Sequence, residues 1–339
     1  MIEAGRGDPQ RHPEWHFTLG DFKSADAAMQ TCLDLARTAA RTELPILILG
    51  ETGTGKTMLA RAIHNSSRRA TRSFVAFNSA ALSDTLLDSQ LFGHEKGAFT
   101  GALRRVKGKF ELADGGTLFI DEIADMSAAG QAKILRAVEY GEFERLGSEQ
   151  LLEADVRMIS ATHLPINRYL ETDHFRKDLF YRISGITLRL PSLRQRPTDL
   201  VSLVAAEMNA AGAAQGKRIV GLSRAAMDKL IDYPWPGNLR ELKRVLHTAV
   251  AITEGEVVAP EAILIEASLE PPLPGAPPAT DLAVGMPAGH NGSSSGLSLR
   301  DAERRHILLV LEHCAHNKRQ AARQLGISRT TLDRKLGHA

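Results

Sequence analysis

The eight residues "GETGTGKT", Gly50 to Thr57, constrain this 339-residue chain more than any other stretch. They fit the spacing G-x-x-x-x-G-K-[ST], follow the apolar run "PILIL" and open into the helical pattern "TMLARAIHN". A strand, a glycine-rich turn and a helix in that order make a phosphate cradle, because glycines let backbone N–H groups turn inward around phosphate oxygens. Gly50, Glu51, Thr52, Gly53, Thr54, Gly55, Lys56 and Thr57 are the expected nucleotide contacts. Lys56 reaches the β- and γ-phosphates and Thr57 offers a hydroxyl to Mg²⁺. The alternative is a plain glycine-rich turn between a strand and a helix; the flanking pattern argues against it.

The rest of the first half agrees with a nucleotide-binding α/β fold. "PILILG", "SFVAFN", "GTLFIDEI" and "VRMISATH" are short apolar runs separated by helix-length segments, the pattern of a doubly wound parallel sheet. "TLFIDE" sets Asp121 and Glu122 at a strand end, where such a sheet presents residues to a ligand crevice. Alone, two acids there read as a solvated strand end. Beside a phosphate loop, Asp121 becomes the expected Mg²⁺ partner and Glu122 the base that polarises an attacking water. After "LRLPSLRQRPTDL" only helical patterns follow, such as "SRAAMDKLIDY" and "NLRELKRVLHTAVAI". Glu270 to Gly296 is rich in Pro, Gly, Ser and Ala, without period, and reads as a linker. The expected organisation is a short tail over residues 1–16, an α/β subdomain over 17–190, a helical subdomain over 191–267, a linker over 268–296 and an all-α tail over 297–339.

That tail carries nine Lys/Arg against four Asp/Glu, in a chain whose formal net charge is +2. Ser298 and Asp301 stand at capping-box-like spacing before a stripe of Ile307, Leu311 and Cys314; Gly326 ends a short helix and Ser328 caps the next. Three helices of this kind form helix-turn-helix geometry. Leu332 and Leu336 would face its core, leaving Arg329, Thr330, Thr331, Arg334 and Lys335 toward a DNA groove or its phosphates. A basic helical oligomerisation tail stays open as the alternative. No apolar run approaches membrane-spanning length, no signal core is seen, and Cys32 and Cys314 lack metal spacing, so a cytoplasmic protein with reduced thiols and no membrane partner is expected.

With "GAFTGA", Gly97 to Ala102, the chain resembles the AAA+ domain of bacterial sigma-54-dependent transcriptional activators, from about Phe17 to Ala267, and their Fis-type DNA-binding domain from Leu297 onward. The resemblance implies an ATPase using ATP and Mg²⁺, assembled as a homo-oligomeric ring, read as a hexamer, and dimeric on enhancer DNA. In the family this hydrolysis remodels the closed sigma-54 RNA polymerase complex to the open one. It implies that Gly97, Ala98, Phe99, Thr100, Gly101 and Ala102 contact sigma-54, with Phe99 and Thr100 foremost. From the residues alone, Phe99 fits a docking tip between flexible glycines or a buried hairpin core equally. In "FRKDLFYR", Arg176 and Arg182 would be arginine fingers reaching the neighbouring subunit's nucleotide; in "YPWPGNLREL", Arg240 would be the second sensor. Thr162 in "ISATH" would be the first sensor and Asn78 in "VAFNSAAL" would restrain Glu122; His163 departs from the Asn that the family usually has after that threonine, a difference that bears on nucleotide sensing. An unfoldase or chelatase-type motor, and a DNA-binding regulator holding ATP only as a structural ligand, are the rival readings. Only about sixteen residues precede Phe17, too few for a switch domain, so control in trans by a regulatory protein or through expression level is expected.

Overall fold

The computed structural model describes residues 16–80 and 83–265, together with Lys318 and Ala322, which are both helical. The chain divides into two units, Met1–Pro271 and Pro272–Ala339. The expected helix-turn-helix over residues 297–339 therefore lies outside the described residues, apart from those two positions.

Five short strands build the central sheet: β1 (Ile46–Leu49), β2 (Phe74–Asn78), β3 (Thr117–Asp121), β4 (Arg157–Thr162) and β5 (Ile186–Arg189). They lie in the order β2-β3-β4-β1-β5 and every pairing is parallel. Alternation along the strands splits the core in two. Leu47, Leu118, Ile120 and Met158 pack on one face, and Ile46, Ile48, Phe119, Ile159 and Ala161 on the other. The register sets Asn78 beside Asp121 and Leu49 beside both Thr162 and Arg189. The C-terminal ends of β1, β3 and β4 thus meet at one edge, which is where the phosphate loop begins.

Helices cover both faces, and their ends follow local chemistry. In α1 (Ala27–Ala40), the Asp26 carboxylate caps the Met29 N–H at 2.9 Å, and Met29, Cys32, Leu33 and Ala36 form the buried stripe. Helix α2 (Lys56–Asn65) opens at Gly55 and α3 (Asp84–Phe92) precedes the GAFTGA segment. Helix α4 (Ala128–Tyr140) is capped by Ser127 and ended by Gly141 in the left-handed conformation, φ 74°. Two short helices follow, α5 (Ile166–Glu171) and α6 (Lys177–Ile183).

The C-terminal part of the first unit holds α7 (Pro197–Gln215), α8 (Arg224–Ile231) and α9 (Asn238–Ile252) around a third core with Trp235 and Leu246 at its centre. One sequence expectation is corrected here. Strands do not stop before this region: Gly221–Leu222 pairs in parallel with Val257–Val258. Two residues per strand are too few to leave a period in the sequence.

Candidate active site

The phosphate loop joins β1 to α2, with Gly53 at φ 80° and Gly55 at φ 103°. A side chain at Gly53 would do more than strain the turn, because its Cβ would stand 2.2 Å from the Gly237 carbonyl oxygen. Thr54 donates its hydroxyl to the Glu51 carbonyl at 2.7 Å, which tightens the loop. Lys56 is buried; its Nζ donates to the Gly50 carbonyl at 3.0 Å and lies 3.5 Å from Glu122 Oε1. The ammonium is thus held between the loop carbonyl and the carboxylate it neighbours.

Asp121 ends β3, and its Oδ2 accepts from the Thr57 hydroxyl at 3.4 Å. Burial pushes the Asp121 carboxyl above its ordinary value, the neighbouring Glu122 charge adds to this, and Lys56 opposes it. Two hard oxygen donors on adjacent elements fit a Mg²⁺ ion, which keeps several waters and takes one or two carboxylates. Glu122 follows in a left-handed conformation, φ 56°, a turn that carries its carboxylate back over the sheet edge. Ser79 holds this turn: its hydroxyl donates to the Glu122 carbonyl at 2.7 Å and to that of Asp121 at 3.0 Å.

The Glu122 side chain is oriented by His163. Both the backbone N–H and Nδ1 of His163 reach Glu122 Oε2, at 3.0 and 2.7 Å. Burial alone would raise the Glu122 carboxyl, yet the two His163 hydrogen bonds and the Lys56 charge outweigh it and hold it below its usual value. Asn78, expected to restrain Glu122, accepts the Ala80 N–H on its Oδ1 at 2.8 Å, beside Asp121 in the sheet register. Thr162 is fully buried between these groups: its carbonyl accepts the Gly50 N–H at 3.3 Å and its hydroxyl accepts the Leu164 N–H at 3.1 Å. A cleft of about 590 Å³ opens beside the loop, with Gly50, Glu51, His163, Arg189 and Gln195 on its walls.

The start of α9 closes on the loop from the other side. Arg240 is exposed, and its backbone N–H donates to the Gly53 carbonyl at 3.3 Å. Arg176 and Arg182 make no such approach among the described contacts. Arg176 pairs with Asp178 at 2.7 Å, while Gln131 accepts its backbone N–H at 2.8 Å. Arg182 donates to the Glu139 carbonyl at 2.9 Å, at the end of α4.

The GAFTGA segment is the crossing of a small hairpin in which Gly93–His94 pairs antiparallel with Val106–Lys107. Gly97 and Gly101 are both left-handed, at φ 86° and 102°, in open space. Phe99 is neither a bare tip nor a core residue. It is half-buried, its ring edge-on to His94 at 5.0 Å, while Leu103 is the exposed apolar residue, at 85%. The hairpin base is tied to the second hairpin, Glu142–Glu144 with Leu151–Glu153. There the buried Arg145 pairs with Glu111 at 2.6 Å and with Glu95 at 3.1 Å.

Sequence reasoning missed the roles of Ser79 and His163. The signal for His163 was its place one residue beyond a strand end that borders the phosphate loop.

A sigma-54 interaction domain matches residues 22–189, an AAA+ ATPase lid domain residues 194–271, and a bacterial regulatory protein of the Fis family residues 298–337. The transcriptional regulatory protein ZraR of Escherichia coli (strain K12) is 43% identical over 309 residues, 91% of this chain and 66% of that protein. FlbD of Caulobacter vibrioides is 41% identical over 318 residues, 92% of this chain and 68% of the relative. The crystal structure of NtrX from Brucella abortus in complex with ATP matches with a TM-score of 0.66 at 30% identity, over 94% of this chain and 68% of that one. This chain spans about two thirds of the length of these proteins. It belongs to the sigma-54-dependent transcriptional activators, with an AAA+ domain, its lid and a Fis-type helix-turn-helix in that order.

Proposed function

We propose that the chain hydrolyses ATP in a ring of identical subunits and spends that hydrolysis on remodelling the sigma-54 RNA polymerase complex, while its tail holds enhancer DNA. The observation that carries this reading is the construction of one domain. A phosphate loop with an oriented carboxylate and a GAFTGA hairpin are built on the same sheet and its connections.

In this reading Lys56 leaves Glu122 Oε1 for the β- and γ-phosphates of ATP, since phosphate charge outbids a single carboxylate. Glu122 Oε2 is already committed to both His163 donors, so the oxygen released by Lys56 is the one that takes the water's proton. Thr57 and Asp121 would hold Mg²⁺, which would supply positive charge against the phosphates. Thr162 and Arg240 flank the loop as sensors, and Phe99 and Thr100 lead the GAFTGA contact with sigma-54. Arg176 and Arg182 serve the site of the adjacent subunit, in keeping with their lack of contact with the loop of their own chain. Arg329, Thr330, Thr331, Arg334 and Lys335 make the DNA contacts.

Two measurements test this together. Steady-state ATPase, titrated against protein concentration, should rise more steeply than linearly, because each site needs a neighbour's arginine. Nucleotide-dependent retention of purified sigma-54 by the full chain should accompany it. An ATPase that never retains sigma-54 in any nucleotide state belongs to another class of motor, and a chain that binds ATP without turnover holds it as a structural ligand.

A further inference from the structure

One buried amide connects three segments that meet at the loop, and neither motif nor mechanism has used it. Asn238, the first residue of α9, is fully buried and left-handed, φ 52°. Its Oδ1 accepts the Leu193 N–H at 2.8 Å, in the segment that leads from the sheet into the lid. Its Nδ2 donates to the Thr52 carbonyl at 3.0 Å and to Glu51 Oε2 at 3.2 Å, both in the phosphate loop. Glu51 is in turn bound by Arg194, one residue beyond Leu193, with one contact at 2.8 Å.

The residue type follows from this geometry. Asparagine tolerates the left-handed backbone better than other side chains of its size, and its amide has the acceptor and the two donors that the three segments require. Aspartate would keep the shape but lose the donors, and would set a second negative charge against Glu51. Because the Asn238 amide is fully buried, loop and helix cannot slide past each other without leaving its polar atoms unpaired.

We propose that Asn238 is the joint through which the phosphate loop and the lid move together, and that it thereby positions Arg240 over the bound phosphates. It is a positioning residue, two places before the arginine whose own N–H is bonded to Gly53. This rests on reading the loop as the ATP site.

The test uses the full chain carrying Asn238→Gly, which keeps the left-handed backbone free of steric strain and removes the amide side chain. KM for ATP should rise about tenfold or more, with a smaller fall in kcat, as expected when substrate positioning is lost. The double variant Asn238→Gly/Arg240→Ala should be no worse than Arg240→Ala alone, because Asn238 acts by placing the Arg240 side chain. A wild-type KM in the glycine variant, or additive losses in the double variant, would overturn the proposal. Should the glycine variant fail to fold, hydrogen exchange on the unaltered chain decides. A non-hydrolysable ATP analogue should slow exchange at Leu193 and Arg240 together with the loop, and protection confined to the loop would count against the joint. Failure of the unaltered chain to bind ATP would instead sink the reading of the loop.

Discussion

At the scale of single residues, the proposed hydrolysis rests on Glu122 and His163 together. Glu122→Gln should leave ATP affinity within a few fold while turnover falls on the order of 100-fold or more, the usual weight of a general base. His163→Ala should cost kcat about tenfold with little change in KM, since it frees the carboxylate to rotate without touching the phosphate cradle. His163→Asn should recover most of that, because an Asn amide nitrogen reaches the place of imidazole Nδ1. A rise in KM for His163→Ala would place the residue in nucleotide binding instead. A separate histidine sets a pH limit. His64 is buried against Thr117 Oγ1 at 2.9 Å, and burial, with nearby arginine charge, pushes its pKa down to about 4 from 6.5, against a backbone hydrogen bond that raises it. Between those values the unfolded chain binds the proton and the folded one does not, so stability is complete above about pH 6.5 and declines as pH falls toward 4. The loss is on the order of 2–3 kcal/mol. Denaturant melts at pH 7 and pH 4.5 should show it, and His64→Gln should flatten that dependence. An equal loss in His64→Gln would assign it to other groups.

At the scale of elements, the GAFTGA hairpin is where motif and packing say different things. The motif marks Phe99, yet its ring is only partly exposed and sits edge-on to His94, and the most exposed large apolar side chain of the hairpin is Leu103. Phe99→Ala should therefore lower the melting temperature only slightly, by roughly 2–4 °C for about 1 kcal/mol, and leave ATP hydrolysis intact while sigma-54 retention is lost. A large drop in melting temperature would make the ring a structural prop of the hairpin. Legibility in the sequence follows element length and burial. The four apolar runs quoted at the outset each became a strand of the central sheet; β1, β3 and β4 are buried in its middle, where a parallel sheet covered on both faces leaves an unbroken apolar signature, while β2 lies at the edge and is mostly only partly buried or exposed. β5, at the other edge, was not among them, as its four residues "ITLR" alternate apolar with polar and end in Arg189. The hairpins at residues 93–107 and 142–153 have strands of two or three residues, too short for any period to emerge. The phosphate loop and Asp121 could be read from spacing alone. The partner of Glu122 could not, since β3 and β4 meet only through the sheet register and 41 residues separate Glu122 from His163.

At the scale of the whole molecule, the proposed function joins an ATP site, a sigma-54 contact and a DNA-binding tail in one chain. Its central claim is that hydrolysis at the Glu122 site is what opens promoter DNA. The most direct measurement is open-complex formation by purified sigma-54 holoenzyme on a premelted promoter, with the full chain and either ATP or a non-hydrolysable analogue. The account predicts stable open complexes with the chain and ATP, and none with the analogue or with Glu122→Gln. Open complexes formed equally well with the analogue, or by the Glu122→Gln variant, would contradict it.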